Sequence, residues 1–312
     1  METLHQNYKA KFQDPLVTAN GSARAHIKLK KLQTLWFNTG TLCNLTCKNC
    51  YIESSPKNDR LSFITFTEVE AYLKEIIHGK FGTREIGFTG GEPFMNPQFL
   101  EIILHCLDLG FNILILTNAM KPMMKVKTQL SEIIKRFPKQ ITIRVSIDHY
   151  TQAGHEIERG AQTWKTTIQG LAWLAQQSIN LNIAGRTFID ESIAEAREGY
   201  ASLFFRLSLN IDARNPKELI LFPELNSGSD VPEITEDCWN ILNVNPDNIM
   251  CASSRMIIKR KNDKTPKVVA CTLLPYQNKF ELGTNLKTAK HSVALNHSYC
   301  AQFCVLGGAS CS

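Results

Sequence analysis

Three cysteines in the stretch TLCNLTCKNCYIESS, Cys43, Cys47 and Cys50, stand at the spacing C-x3-C-x2-C. Thiolates so close in sequence suit a soft metal or an iron–sulfur cluster, and three of them leave the fourth position of a four-ligand site to something else. Five more cysteines, Cys251, Cys271, Cys300, Cys304 and Cys311, gather near the other end of the chain. With Cys106 and Cys238 the total is ten. In a chain without an export signal, that number argues against a disulfide framework and for metal ligation. The distribution suggests two metal-binding regions with something else between them. For the second group the ligand type does not decide the metal, because four thiolates serve zinc as well as an iron–sulfur cluster, and one of the five cysteines is left over. Cys106 falls on the apolar stripe of a helix and reads as a small buried hydrophobe; Cys238 reads as a packing residue too.

Strand and helix signals alternate between the two cysteine groups. LQTLWFN (32–38) reads as a first strand. The next segment, FTEVEAYLKEIIHG, sets Val69, Tyr72, Leu73, Ile76 and Ile77 on one helical stripe, with Thr67 and Glu70 spaced as a capping box and Gly79 as the stop. REIGFTGGEP is a buried strand running into the turn Gly90-Gly91-Glu92-Pro93, followed by a helix expected to be capped by Asn96 with Pro97 at its first position. Further strands are expected at 111–119, 141–150, 179–187 and 218–224, with helices at 127–137 and about 163–177. This alternation implies an α/β fold with a parallel sheet, and six such units make a curled sheet or an incomplete barrel. In such sheets the chemistry lies at the carboxyl ends of the strands. The cysteine triad follows the first strand, the Gly90–Glu92 turn the second, Asn118 the third, Ser146 and Asp148 the fourth, and Arg186 the fifth. Residues 148–164 read as a long loop on that rim. His149, Tyr150, His155, Glu156 and Arg159 are its candidates for substrate contact or acid–base work; the plainer reading is a capping loop with solvated charges.

The bulk properties bound the class. At 312 residues the chain forms one large domain or two smaller ones, and 43% hydrophobic with 21% charged residues is an ordinary globular composition. The net charge of +6 is spread along the chain. Its basic clusters, KLKK (28–31) and KRKNDK (259–264), lack interleaved aromatics, which argues against nucleic acid as a partner. No apolar run approaches the roughly 18 residues of a membrane span, and the polar N-terminus carries no secretory core, so a cytoplasmic location is expected.

The triad after strand one and the Gly90-Gly91-Glu92-Pro93 turn after strand two, set in this strand–helix repeat, resemble those of a radical S-adenosylmethionine (radical SAM) enzyme. The resemblance covers residues 32–225 and implies a partial (β/α)6 TIM-like barrel. It also implies that Cys43, Cys47 and Cys50 hold three irons of a 4Fe–4S cluster, while the amine and carboxylate of SAM fill the fourth site. Electron transfer to the sulfonium would then yield methionine and a 5′-deoxyadenosyl radical that abstracts hydrogen from substrate. Carried over by position, Gly90, Gly91 and Glu92 approach the methionyl amine, Ser146 and Asp148 the ribose, and Asn118 and Arg186 the ribose or carboxylate. His149, Tyr150 and Arg159 stand as the catalytic candidates. The family position before the last cysteine is usually aromatic and packs near adenine; here it is Asn49, with Tyr51 following.

Residues 226–312 resemble the small cysteine-rich auxiliary-cluster extensions called twitch and SPASM domains. Two short strands, RMIIKRK and PKVVAC, form a hairpin there beside Cys251 and Cys271, and a second 4Fe–4S cluster is implied. Residues 1–31 are an N-terminal extension. The expected partners are a peptide or small-molecule substrate and a reducing partner such as flavodoxin or ferredoxin. The competing class is a non-enzymatic zinc or nucleic-acid-binding protein using its cysteines structurally.

Overall fold

The computed structural model describes residues 10–188, 190–225, 228 and 230–308; Cys311 lies outside them. Strand β1 (His26–Ile27) is followed by β2 (Thr34–Asn38), α1 (Phe66–His78), β3 (Glu85–Thr89), α2 (Phe99–Asp108) and β4 (Asn112–Thr117). Then come α3 (Lys121–Lys125), α4 (Lys127–Arg136), β5 (Ile141–Ser146), α5 (Gln152–Arg159), α6 (Thr163–Leu174), β6 (Asn180–Arg186), α7 (Ile193–Arg206) and β7 (Leu219–Phe222). The chain continues through α8 (Cys238–Ile241), β8 (Ser254–Ile258), β9 (Lys267–Val269) and β10 (Val293–Ala294).

Strands β2 to β7 lie side by side in chain order, every neighbouring pair parallel, as expected of repeated strand–helix crossovers. Alternation along the strands divides the core. Leu35, Phe37, Ile86, Phe88, Ile113, Ile115, Ile143 and Val145 point outward and pack under the helices. Trp36 and Leu114 point to the other face and join a second apolar cluster formed with the C-terminal region. This is the curled, partial-barrel arrangement of an α/β fold: an apolar outer face under helices, and an inner face free to carry polar groups toward the strand ends.

Several local expectations are corrected. The capping box of α1 is Thr65 with Glu68, not Thr67 with Glu70; Thr65 takes the Glu68 N–H while the Glu68 carboxylate takes that of Thr65. Asn96 does not cap α2. Gln98 occupies that position, and the Asn96 side chain instead accepts from the Gln98 N–H and donates to the Ile64 carbonyl. The segment 148–164 is not one loop. Thr151 caps α5 by accepting from the Gly154 N–H, and Gly160, at φ +96°, ends it.

The two C-terminal strands do pair antiparallel, β8 with β9. However, β8 also lies parallel to β2, with Thr34 opposite Ser254 and Phe37 opposite Ile257. The eight-stranded sheet therefore runs β7-β6-β5-β4-β3-β2-β8-β9, and the C-terminal hairpin continues the sheet of the strand–helix repeat. The N-terminal segment packs on the same end: β1 pairs with β10, and buried Arg24 pairs with Glu233.

Candidate active site

The carboxyl ends of the strands open into a cleft whose walls carry Cys43, Cys47 and Cys50. The loop bearing them is held against the glycine turn, with the Gly91 N–H donating to the Gly40 carbonyl at 2.7 Å and the Glu92 N–H to that of Leu42 at 3.1 Å. This approach is why the turn needs glycine. A Cβ on Gly91 would stand 2.0 Å from the Leu42 oxygen, and Gly90 holds φ at +141°. The Cys43 N–H donates to the Ser55 carbonyl and closes the loop on itself.

The thiols are suited to being metal ligands. The Leu45 N–H points to the Cys43 sulfur at 3.4 Å, and that of Ser54 to the Cys50 sulfur at 3.3 Å. Burial pushes the Cys43 thiol up to about 12 and raises Cys47 as well. Thiols so placed need a bound cation to ionise at neutral pH. Among the described residues, no three His, Cys, Asp or Glu side chains converge tightly enough for one metal ion. Three thiols on one loop, two of them facing backbone N–H groups, are a donor set of the kind that holds an iron–sulfur cluster.

The residues expected on the rim separate into two groups. Gly90, Gly91, Asn118, Ser146, Asp148, Arg159 and Arg186 line the cleft. Glu92 does not. Its carboxylate is buried and accepts from the Thr117 hydroxyl at 2.7 Å, the Asn118 N–H at 2.9 Å and the Phe94 N–H. Burial raises its carboxyl to about 7, with these hydrogen bonds opposing the shift. Glu92 thus ties the glycine turn to the end of β4. Asn118, so fixed, donates to Asn44 Oδ1 within the cysteine loop.

Asp148 is gripped from two sides. Arg159 Nε lies 2.8 Å from one carboxylate oxygen and Arg186 Nε 3.4 Å from the other. Burial alone would raise its carboxyl, but the two guanidinium groups hold it below the ordinary range. Burial also works against the charge on Arg159, and its pairing with Asp148 outweighs this. Arg186 further donates to the Tyr51 hydroxyl and lies over the Tyr51 ring, 4.8 Å from its centre. Tyr51 itself lines the cleft, whereas Asn49 turns away.

His149 and Tyr150 do not reach the cleft wall. Their rings stack at 4.1 Å beside α7, and the Tyr150 hydroxyl donates to Glu191. His155 is fully buried against Trp164, and among the described residues neither of its ring nitrogens has a hydrogen-bond partner. Of the acid–base candidates only Arg159 joins the site. Sequence reasoning missed Glu158, which binds Asn49, although Thr151 and Gly160 are the start and stop signals of the helix that delivers it.

A second convergence lies behind the cleft. Cys251, Cys271, Cys300 and Cys304 line one small pocket, closed by apolar side chains including Phe280, Leu295 and Tyr299. Burial raises the Cys251 thiol, and burial together with neighbouring Cys251 pushes Cys300 up to about 12. Cys106 is buried in the core as expected, and Cys238 sits apart from the cavity beside Thr235. Leu273, two residues after Cys271, lines both this cavity and the cleft.

The chain is similar to known proteins in a consistent way. The antilisterial bacteriocin subtilosin biosynthesis protein AlbA of Bacillus subtilis (strain 168) is 30% identical over 147 residues, 47% of this chain and 31% of that protein. The matched region thus spans under a third of that relative's length. SuiB of Streptococcus suis, solved with S-adenosylmethionine and separately with its precursor peptide SuiA, shares the fold. Its SAM-bound form aligns at TM-score 0.58 and 13% identity, over 81% of this chain and 63% of SuiB. So does anSMEcpe with bound AdoMet, at TM-score 0.59 and 15% identity, over 85% and 79% of the two chains. The family model described as the radical SAM superfamily matches residues 37–199, the span holding the cysteine triad, the glycine turn and the Asp148 cluster. The chain belongs to the radical SAM superfamily.

Proposed function

We propose that this protein reductively cleaves SAM at a 4Fe–4S cluster on Cys43, Cys47 and Cys50 and abstracts hydrogen from a peptide substrate. The observation that carries the reading is the meeting of the triad, the glycine turn and the Asp148–Arg159–Arg186 set on the walls of one cleft. When bound, the cluster supplies the electron that breaks the sulfonium bond of SAM. The chain's own residues bind and orient. Gly90 and Gly91 leave room for the methionyl group, with Asn118 beside it. Asp148, already oriented by two arginines, offers its carboxylate to the ribose hydroxyls, with Ser146 adjacent. Arg186 reaches the SAM carboxylate or the ribose. Glu92 serves from behind by fixing Asn118.

A peptide substrate is favoured over a small metabolite by two relatives: AlbA acts in bacteriocin biosynthesis, and SuiB was solved with a precursor peptide. The four-cysteine pocket is proposed to hold a second, auxiliary 4Fe–4S cluster on Cys251, Cys271, Cys300 and Cys304. An external reductant such as flavodoxin or ferredoxin completes the system. A non-enzymatic zinc or nucleic-acid role leaves the glycine turn and the strand-end residues without a purpose.

Anaerobically reconstituted, dithionite-reduced protein should release 5′-deoxyadenosine from SAM. The Cys43→Ala/Cys47→Ala/Cys50→Ala variant should release none. Equal release from both proteins defeats the proposal.

A further inference from the structure

Resting on the reading that the triad holds a cluster, we propose that Glu158 is a positioning residue for that cluster, acting through Asn49. Two residues, Lys48 and Asn49, separate the second and third cysteines, and the last turn of α5 holds both. The Lys48 N–H donates to the Glu158 carbonyl at 2.8 Å. The Asn49 amide nitrogen donates to both Glu158 carboxylate oxygens, at 2.9 and 3.2 Å. Arg186 donates to the Asn49 carbonyl at 2.8 Å, so the span is also fixed from the end of β6. The Glu158 side chain is nearly fully buried, and a buried carboxylate is retained only where it is satisfied.

The consequence for the cluster is geometric. Cys47 and Cys50 serve different irons, so rotation of the two residues between them would misdirect one sulfur or the other. The same helix turn carries Arg159, which grips Asp148 on the cleft wall. Glu158 and Arg159 therefore set the cysteine span and the proposed ribose-binding carboxylate against each other through one rigid element. It also explains why position 49 is an amide that faces α5 rather than an aromatic ring facing the cleft.

Exchanging donor and acceptor tests the proposal on the full-length protein. Asn49→Asp puts two carboxylates face to face. The double variant Asn49→Asp/Glu158→Gln restores an amide donating to a carboxylate with the roles reversed. Each is reconstituted anaerobically beside wild type and read by iron content and by the EPR signal of the reduced cluster with and without SAM. The SAM-dependent change in that signal reports the triad site alone. Asn49→Asp should lose at least half of the triad's iron and the SAM-dependent change; the double variant should recover most of both. A single variant that matches wild type, or a double variant no better than the single, overturns the proposal. Wild-type protein that shows no SAM-dependent signal overturns the underlying cluster reading instead, and the proposal with it.

Discussion

Asp148, Glu158 and Arg186 are buried beside the cleft and Arg159 nearly so, two acidic and two basic side chains. Such charges are tolerated inside a protein when each finds partners of fixed geometry, and removing one member leaves another unpaired at a cost of about 3–5 kcal/mol. His155, a few residues from Asp148, is different because no group among the described residues hydrogen-bonds to its ring nitrogens. Burial first, and Arg159 second, hold its imidazole down at about 4, below the ordinary 6.5. The folded state thus favours the neutral ring. Its contribution to stability is complete above pH 6.5 and is lost as pH falls from 6.5 toward 4, by up to about 3 kcal/mol. Urea unfolding across that window should show the decline in wild type and a flatter profile in His155→Phe. Equal pH profiles for the two proteins would remove the histidine from the account.

Short polar side chains decide where elements begin, and here the sequence and the structure part company in an instructive way. Thr67 and Glu70 satisfy the capping-box spacing as well as Thr65 and Glu68 do, and only the position at which the backbone enters the helix distinguishes them. Thr65→Ala should therefore cost about 1 kcal/mol, and Thr67→Ala, on the exposed face, less than about 0.5 kcal/mol, as read from thermal or urea denaturation. The six strands and helices α1, α2, α4 and α6 were legible because apolar periodicity is repeated over many residues; α7, between β6 and β7, was not read from the sequence. So was the placing of Cys43, Ser146, Asp148 and Arg186, since strand ends follow from strands. Helix α5 was not legible as a helix, being only eight residues long and polar, and Glu158 was missed with it. The inward turn of Glu92 could not be read either. It depends on hydrogen bonds to Thr117 and Asn118, which are distant in sequence and meet it only through the β3–β4 pairing.

For the molecule as a whole, the central feature is that two groups of cysteines converge on either side of Leu273. If both hold cubanes, reconstituted wild-type protein should contain about eight irons per chain and the Cys43/Cys47/Cys50 triple alanine variant about four. Colorimetric iron and sulfide assays beside zinc by mass spectrometry decide this. One zinc and no iron in the triple variant would leave a single-cluster enzyme with a zinc-stapled tail. Among the described residues, no helix is long and apolar enough to cross a membrane.

The pairing of β2 with β8 imposes a schedule on biosynthesis. Strand β2 is buried at all five positions and leads directly into the Cys43 loop, yet one of its neighbours is translated 220 residues later. At about 5–20 residues per second, the nascent chain spends roughly 10–40 s with that strand's backbone open on one side. An unpaired, apolar strand edge invites association with other chains. During expression, the period before residue 254 emerges is therefore when a chaperone, or slow growth at low temperature, should most improve the yield of intact protein.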